Sequence, residues 1–285
     1  MMMASDDVAA VVEQVRREGW CAVRGVIPRA EVDAVYRSVM EVAEREWDKH
    51  SVNGRLGIGG LIAKTQVMVP YLLDDRLLGA AEALFGPKVR VSMTHGIVTD
   101  PGYERTNWHA DWPFSLGNPY HVPAPYAADQ PIKITTLWAL TSFNAITGGT
   151  LIVPGSHTAG NNPGGDIGYD VYQSVASEMQ PDLEPGDVLV IDSRTWHTNG
   201  TNHSDVRRVG MAVRYAAWWY NVHQITPGLA EFERMAAEAG DRATDVVPIT
   251  REIYGDLPEK AKPLFRHIVI GQGVLPEPAT EPAWG

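Results

Sequence analysis

Short β-rich runs separated by glycine, proline and asparagine dominate the sequence between residues 89 and 219. Short strands with turn-rich joints are typical of a β-sandwich or barrel, and not of a parallel sheet with crossover helices. The 27 glycines and 20 prolines in 285 residues also indicate many turns. We therefore predict a mainly β core, with strands at residues 89–98, 132–140, 150–153, 188–191 and 209–219.

Apolar residues at helical spacing flank this β region. They predict helices at residues 5–18, 28–49, 77–85 and near 229–240. Gly19 ends the first helix and a short strand follows at residues 20–26, while the glycine-rich residues 51–60 are predicted to be irregular. Because no segment has the composition of a flexible linker, we predict a single domain over residues 1–285. It consists of a helical N-terminal part (1–88), a β core (89–220) and a C-terminal extension (221–285).

The charge balance narrows the range of partners. Lys and Arg total 24 and Asp and Glu total 35, giving a formal net charge of −11. An acidic chain is a poor match for nucleic acid or an anionic membrane, and we expect neither as a partner. The single cysteine, Cys21, excludes an intramolecular disulfide. The first 15 residues lack the apolar core of a secretory signal, and no apolar run approaches the ~20 residues of a membrane span. We expect a cytoplasmic protein.

The first chemical signal is the pair His109 and Asp111. Side chains alternate in an extended segment, so these two project to the same side and are able to hold one metal ion. Taken alone, a His-x-Asp sequence is more often part of a surface turn than of a metal site. The pair becomes informative with a third ligand.

His197 is the candidate for that third ligand. It follows a Pro185-Gly186 turn and an apolar strand. Two histidines and one carboxylate, with the other coordination positions open, form the facial triad of non-haem Fe(II) oxygenases. Zinc hydrolases use the same residue types, so the ligand set leaves both classes open.

Arg208 favours the oxygenase. On a predicted strand, one face carries two arginines separated by small residues, which leaves room for a ligand, and the other face is bulky and apolar. A guanidinium on the first face can grip a dicarboxylate bidentately. The first face consists of Arg208, Gly210, Ala212, Arg214 and Ala216, and the second of Val209, Met211, Val213 and Tyr215.

With these residues in place, the chain resembles the phytanoyl-CoA dioxygenase family of Fe(II)/2-oxoglutarate-dependent oxygenases. The resemblance extends from about Gly19 to Trp219, and the order and spacing of its motifs carry it. These motifs are the Gly-Trp stretch at 19–26, the His109-x-Asp111 pair, the Gly-Gly-Thr to Pro-Gly-Ser-His stretch at 148–157, the Pro-Gly-Asp turn at 185–187, His197 and Arg208.

The resemblance implies a double-stranded β-helix, a jelly-roll and cupin-like fold with iron at one mouth. It implies that His109, Asp111 and His197 bind Fe(II) and that Arg208 binds the far carboxylate of the co-substrate 2-oxoglutarate. O₂ is the other co-substrate. Trp138 matches an aromatic position that lines the co-substrate pocket, and Asn199 and Lys64 match weaker polar positions nearby.

The resemblance also implies oxidation of a small molecule, with 2-oxoglutarate decarboxylated to succinate and CO₂. Because a carboxylate stands at position 111, where related halogenases have a small residue, we expect hydroxylation of a secondary-metabolite intermediate. Desaturation, epoxidation and ring formation use the same iron site, and a zinc-dependent hydrolase or a non-catalytic cupin-like binding protein are the alternatives of other classes. No oligomeric state follows from the sequence.

Candidate substrate contacts lie near the metal motif and at the end of the Arg208 strand. They are Arg105, Trp112, Phe114, Arg214 and Trp218. Residues 113–131 have the length of a lid, and residues 220–240 are a candidate for another wall.

Overall fold

A computed structural model describes residues 7–111, 131, 133–159, 163, 170–220, 230, 233–234, 237 and 247–270. Trp112 and Phe114 lie outside the described residues. So does almost all of the predicted lid at residues 113–131, and most of the predicted helix near residues 229–240.

Four helices precede the β core. Their bounds are α1 (Val8–Glu18), α2 (Val32–His50), α3 (Leu61–Lys64) and α4 (Asp75–Phe85). Asp7 caps α1 by accepting a hydrogen bond from the Ala9 N–H, and Gly19 ends it with a left-handed φ of 82°. The second helix was predicted from residue 28, but α2 begins later because a turn precedes it, closed by a hydrogen bond from the Glu31 N–H to the Pro28 carbonyl.

A six-stranded antiparallel sheet forms the centre of the molecule. Its strands are β1 (Trp20–Val23), β2 (Arg55–Gly59), β3 (Arg90–Thr99), β4 (Lys133–Ala139), β6 (Val188–Asp192) and β8 (Arg208–Ala216). They lie in the order β1-β6-β4-β8-β3-β2. The mainly β core with flanking helices is therefore confirmed.

A second antiparallel pair consists of β5 (Thr150–Ile152) and β7 (His197–Asn199). The C-terminal part adds a short parallel pair, β9 (Ile249–Thr250) and β10 (Val269–Ile270), with the helices α5 (Arg251–Asp256) and α6 (Lys262–Phe265) between them. Single turns of 3₁₀ helix lie at Tyr71–Leu73, Ser156–Thr158 and Arg266–Ile268.

The prediction that residues 51–60 are irregular is wrong, because β2 lies within them. Its glycines obscure the strand when only local propensity is considered, but Gly57 is required where the strand packs against β3. A Cβ atom on Gly57 would lie 2.7 Å from the His95 Nε2 atom. Close packing against β3, and not local preference, therefore selects glycine in this edge strand.

The two faces of the central sheet have different roles. On one face Val209, Met211, Val213 and Tyr215 of β8 join the large apolar core that also contains the buried sides of α1, α2 and α4. Each fully buried side chain of this size stabilises the fold by about 1.5–3 kcal/mol. The opposite face of β8 lines a cavity between the two antiparallel sheets. Among the described residues, no helix is both long enough and apolar enough to cross a membrane.

Candidate active site

His109 and His197 are paired directly across two backbone segments. The N–H of each donates to the carbonyl oxygen of the other, at 3.1 and 2.9 Å, so their side chains leave the backbone on the same side. The imidazole centroids are 4.2 Å apart. One antiparallel bridge thus brings together two residues that are far apart in the sequence.

Backbone carbonyl groups orient both imidazole rings. His109 Nδ1 lies 3.2 Å from the Asn107 carbonyl oxygen, and His197 Nδ1 lies 2.9 Å from that of Thr195. Since a carbonyl oxygen only accepts, each Nδ1 carries the proton and each Nε2 presents a lone pair. Burial and the neighbouring His197 lower the pKa of His109 to about 3. The His109 ring is therefore neutral and free to bind a metal at neutral pH.

Asp111 is held by donors from two strands. Arg214 Nη2 donates to its Oδ1 at 2.5 Å, and Arg214 Nε donates to its Oδ2 at 3.2 Å. Thr135 Oγ1 also donates to Oδ2, at 2.7 Å, while Lys133 Nζ donates to the Asp111 backbone carbonyl at 2.7 Å. Burial alone would raise the pKa of Asp111, but Arg214, together with His197, His109 and Lys133, outweighs burial and holds the pKa well below its usual range.

These three side chains form a candidate metal centre. Their ligand atoms all lie within 4.8 Å of one another, and His197 Nε2 is 3.8 Å from Asp111 Oδ2. Two imidazole nitrogens and one carboxylate oxygen suit Fe(II) and Zn(II), and three ligands from one side leave other coordination positions open. The donor set therefore fits the predicted metal.

Arg208 lies in the same cavity and is only 2% exposed. Its Nη1 donates to the Gly148 carbonyl at 2.6 Å, its Nη2 donates to Asn199 Oδ1 at 2.9 Å, and its guanidinium stacks over Phe143 at 4.9 Å. Its Nε is buried without a hydrogen-bond partner in the part of the chain that the structure describes. Burial, and next the charge of Arg55, lower the pKa of Arg208 to about 10.

The cavity around these groups has a volume of about 370 Å³. That size is typical of small-molecule sites. Its walls combine polar groups with Met93, Ile97, Leu137 and Phe143. On β8, a Cβ atom at Gly210 would lie 2.5 Å from the Phe143 ring, so this close approach of ring and strand requires glycine.

Lys64 and Arg105 lie beside a second, outer groove of about 1230 Å³ and not in the metal cavity. Lys64 forms an ion pair with Glu46 at 3.3 Å. Both terminal nitrogens of Arg105 bind Glu178, at 3.0 and 2.9 Å. The groove and the metal cavity share part of their lining: Arg55, His95, Tyr103, Thr106 and Asn107.

Three predicted contacts need correction. Trp138 is fully buried in the large apolar core, because Thr135 and Leu137 of β4 face the cavity and the even-numbered residues of this strand point to its other face. Arg214 is engaged by Asp111 and is not free to bind a substrate. Trp218 lies beyond the end of β8 and is 51% exposed, outside the cavity lining.

Several residues of the site were not predicted from the sequence. Thr135 and Lys133 hold Asp111, and Arg55 and Tyr103 line the cavity beside Arg208. The alternation of side chains along the predicted strand at 132–140 could have indicated Lys133 and Thr135, since odd-numbered residues of this strand share a face. Arg55 gave no such signal, because its strand was not predicted.

The fold and the site together describe a jelly-roll protein with a two-histidine, one-carboxylate centre. The sequence model of the phytanoyl-CoA dioxygenase (PhyH) family matches residues 15–210, more than half of the chain. The chain belongs to this family, so the family predicted from the motifs is confirmed.

Two fungal relatives illustrate the similarity. Dioxygenase af480 of Aspergillus fumigatus is 30% identical over 137 residues, which cover 46% of this chain and 38% of the relative. Dioxygenase andF of Emericella variicolor is 28% identical over 138 residues, covering 47% and 44%. The aligned part of the chain thus spans less than half the length of either relative.

A solved structure shows the same fold. The epimerase SnoN in complex with Fe³⁺, alpha ketoglutarate and nogalamycin RO matches with a TM-score of 0.55 and 21% identity, over 74% of this chain and 83% of that chain. The predicted jelly-roll fold is confirmed by this similarity.

Proposed function

We propose that this protein is an Fe(II)/2-oxoglutarate-dependent dioxygenase that hydroxylates a small molecule, an intermediate of secondary metabolism, in the cytoplasm. One observation carries the proposal. The candidate metal ligands His109, Asp111 and His197 and the buried cation Arg208 line a single cavity. A site of this kind offers a metal to a keto acid and a guanidinium to its far carboxylate.

His109, Asp111 and His197 would hold the iron. Bound Fe(II) supplies open coordination positions for the co-substrate and O₂, and the oxidising chemistry that side chains lack. The two histidines keep Nε2 free because their Nδ1 protons are bound to backbone carbonyls. Arg214 and Thr135 keep the Asp111 carboxylate charged and fix its orientation.

Arg208 would orient 2-oxoglutarate by binding its far carboxylate. Asn199 Oδ1 and the Gly148 carbonyl hold the guanidinium in place. The stacked Phe143 ring shields one face of the guanidinium from water. A buried cation placed for a dicarboxylate co-substrate favours the proposed oxygenase, because a zinc hydrolase needs no such co-substrate.

The surroundings of the site support a small, partly apolar substrate. Met93, Ile97 and Leu137 supply apolar wall, and the outer groove adjoins the cavity. The two fungal relatives are named dioxygenases, and the structural neighbour SnoN holds nogalamycin RO. Hydroxylation is the proposed outcome because a carboxylate, and not the small residue of related halogenases, stands at position 111.

The proposal is tested by a turnover screen. Purified protein with Fe(II), 2-oxoglutarate and O₂ is incubated with a panel of natural-product intermediates, and succinate and product masses are measured. We expect substrate-dependent succinate and a product that has gained one oxygen atom. A product that has lost two hydrogens would replace hydroxylation with desaturation or ring formation.

The control variants are His109→Ala, which removes a metal ligand, and Asp100→Asn, which changes a surface ion pair with Arg207. We expect no succinate from the first and ordinary turnover from the second. Undiminished succinate release by His109→Ala would refute the metal assignment. Hydrolysis supported by Zn(II) alone, without 2-oxoglutarate, would favour the hydrolase.

A further inference from the structure

Arg55 and Arg208 lie in one row across the central sheet. Arg55 on β2 is opposite Thr99 on β3, and Thr99 is opposite Arg208 on β8. Directly opposed residues of antiparallel strands project from the same face. The two arginines therefore share the cavity face, two strand spacings or roughly 10 Å apart at the backbone.

Both arginines line the metal cavity. Among the residues that the structure describes, no Asp or Glu oxygen lies within 4.0 Å of either group. The Nε atom of each is buried and has no hydrogen-bond partner in this part of the chain. Two cations that approach one another in a buried wall create a strong local preference for an anion.

The electrostatics of Arg208 agree with this geometry. Its pKa is lowered to about 10, first by burial and then by the charge of Arg55, which shows that the two guanidinium groups repel one another. A carboxylate bound between them would remove this repulsion. One Nη of Arg208 donates to the Gly148 carbonyl and the other to Asn199 Oδ1, and these hydrogen bonds fix the position of the guanidinium. Its Nε–H and the remaining Nη protons are available to a ligand.

We propose that Arg55 is a second binding residue for 2-oxoglutarate, and that the far carboxylate of this co-substrate lies between the guanidinium groups of Arg55 and Arg208. The inference rests on the proposed function. It extends that function by adding a contact from the edge strand β2. Arg55 also borders the outer groove, so an anionic group of the primary substrate is the competing occupant.

Ligand binding without turnover tests the inference. Protein loaded with Mn(II) is titrated calorimetrically with 2-oxoglutarate and with 2-oxobutanoate, which keeps the keto acid but lacks the far carboxylate. The variants are Arg55→Gln and Arg55→Lys, with Arg17→Gln as a control of equal charge change on the exposed side of α1. The affinity for Mn(II) alone is measured for each.

We expect Arg55→Gln to weaken 2-oxoglutarate binding about tenfold to a hundredfold, the range for loss of a hydrogen-bonded charge contact. Binding of 2-oxobutanoate and of Mn(II) should be unchanged, Arg55→Lys should fall between, and Arg17→Gln should match the wild type. Equal weakening of both keto acids would assign Arg55 a structural role and overturn the inference.

A 2-oxoglutarate affinity within twofold of the wild type in Arg55→Gln would also overturn it, and would favour the substrate as the occupant. The two proposals fail differently. If the wild type itself does not bind 2-oxoglutarate, the proposed function fails. If the wild type binds it and Arg55→Gln binds it equally well, only the role of Arg55 fails.

Discussion

Strand β8 carries two buried arginines on the same face, and their surroundings differ. Arg214 is 6% exposed and is bound at two nitrogens by the carboxylate of Asp111. Arg208 is 2% exposed and lies six residues earlier, and the partners that it has among the described residues are the neutral oxygens of Gly148 and Asn199. One end of the cavity is therefore charge-compensated, and the other is not.

The difference separates a positioning role from a binding role. A buried charge without a counter-charge costs free energy, and such a charge is retained where it has a function. Arg214 donates hydrogen bonds that orient a candidate metal ligand. Arg208 has further N–H groups that are available to a ligand, and Arg55 adds a second cation to the same region.

Removing the counter-charge of Arg214 should have the largest effect. Asp111→Ala deletes a metal ligand and leaves Arg214 as uncompensated as Arg208. We expect succinate formation to fall more than a hundredfold, since loss of a mere support of a ligand already costs about 10- to 100-fold. Metal affinity, measured by Mn(II) titration, should fall with it, while Asp100→Asn should retain both. Wild-type metal affinity in Asp111→Ala would contradict the site.

The variant Arg208→Met tests the role of the end of the cavity where the arginine has no carboxylate partner among the described residues. We expect 2-oxoglutarate affinity to fall about 100-fold, because truncating a buried contact to a charge costs about 2–5 kcal/mol. Mn(II) affinity should be unchanged. The free energy of unfolding should change by less than about 2 kcal/mol, since relief of a buried charge offsets two lost hydrogen bonds. Urea unfolding and calorimetric titration measure these quantities. Unchanged 2-oxoglutarate affinity would refute the role of Arg208.

Arg214→Met should give the opposite pattern. It leaves the Asp111 carboxylate buried without its cation, so we expect a loss of about 3–5 kcal/mol in the free energy of unfolding. Metal affinity should fall about 10- to 100-fold because the ligand loses its orientation. If Arg214→Met and Arg208→Met had the same effects on metal and keto-acid binding, the division between the two ends would be wrong.

The smallest effect concerns a buried ionisable group outside the site. Burial and the charge of Arg90 lower the pKa of His267 to about 3. The unfolded chain, with an ordinary histidine pKa of about 6.5, binds more protons below that pH, so stability falls as the pH drops from 6.5 towards 3. His267→Phe should reduce this loss by about 1–2 kcal/mol at pH 5 relative to pH 7.

Thermal unfolding at the two pH values measures this effect, and His109 contributes a similar dependence that His267→Phe leaves in place. An unchanged pH dependence in His267→Phe would show that His267 is not the group responsible.

The sequence predicted the parts of the site that depend on alternation and spacing. The His109-x-Asp111 pair and the two faces of β8 follow from the two-residue period of a strand, and the structure places both as expected. The same two-residue period places Trp138 on the core face of β4, whereas the resemblance had suggested a position in the co-substrate pocket. A role carried over from a family is thus less secure than one that strand geometry supports.

Long-range partners had no local signal. The Arg214–Asp111 pair joins residues 103 positions apart, and the sequence suggested a substrate contact for Arg214 instead. Strand β2 was not predicted because its glycines disfavour a strand locally, whereas Gly57 is required by packing against His95 of β3. Arg55 was missed with it, since its position beside Arg208 exists only in the register of three strands.

One anaerobic absorption titration tests the division of the cavity most directly. Wild type, Arg208→Met and Arg214→Met receive Fe(II) and then 2-oxoglutarate, and the weak visible charge-transfer band of the ternary complex is followed. We predict that the wild type shows the band only with both additions. Arg208→Met should need far more 2-oxoglutarate, and Arg214→Met should need far more Fe(II). No band in the wild type, or the same requirement in both variants, would contradict a metal end and a carboxylate end of one active site.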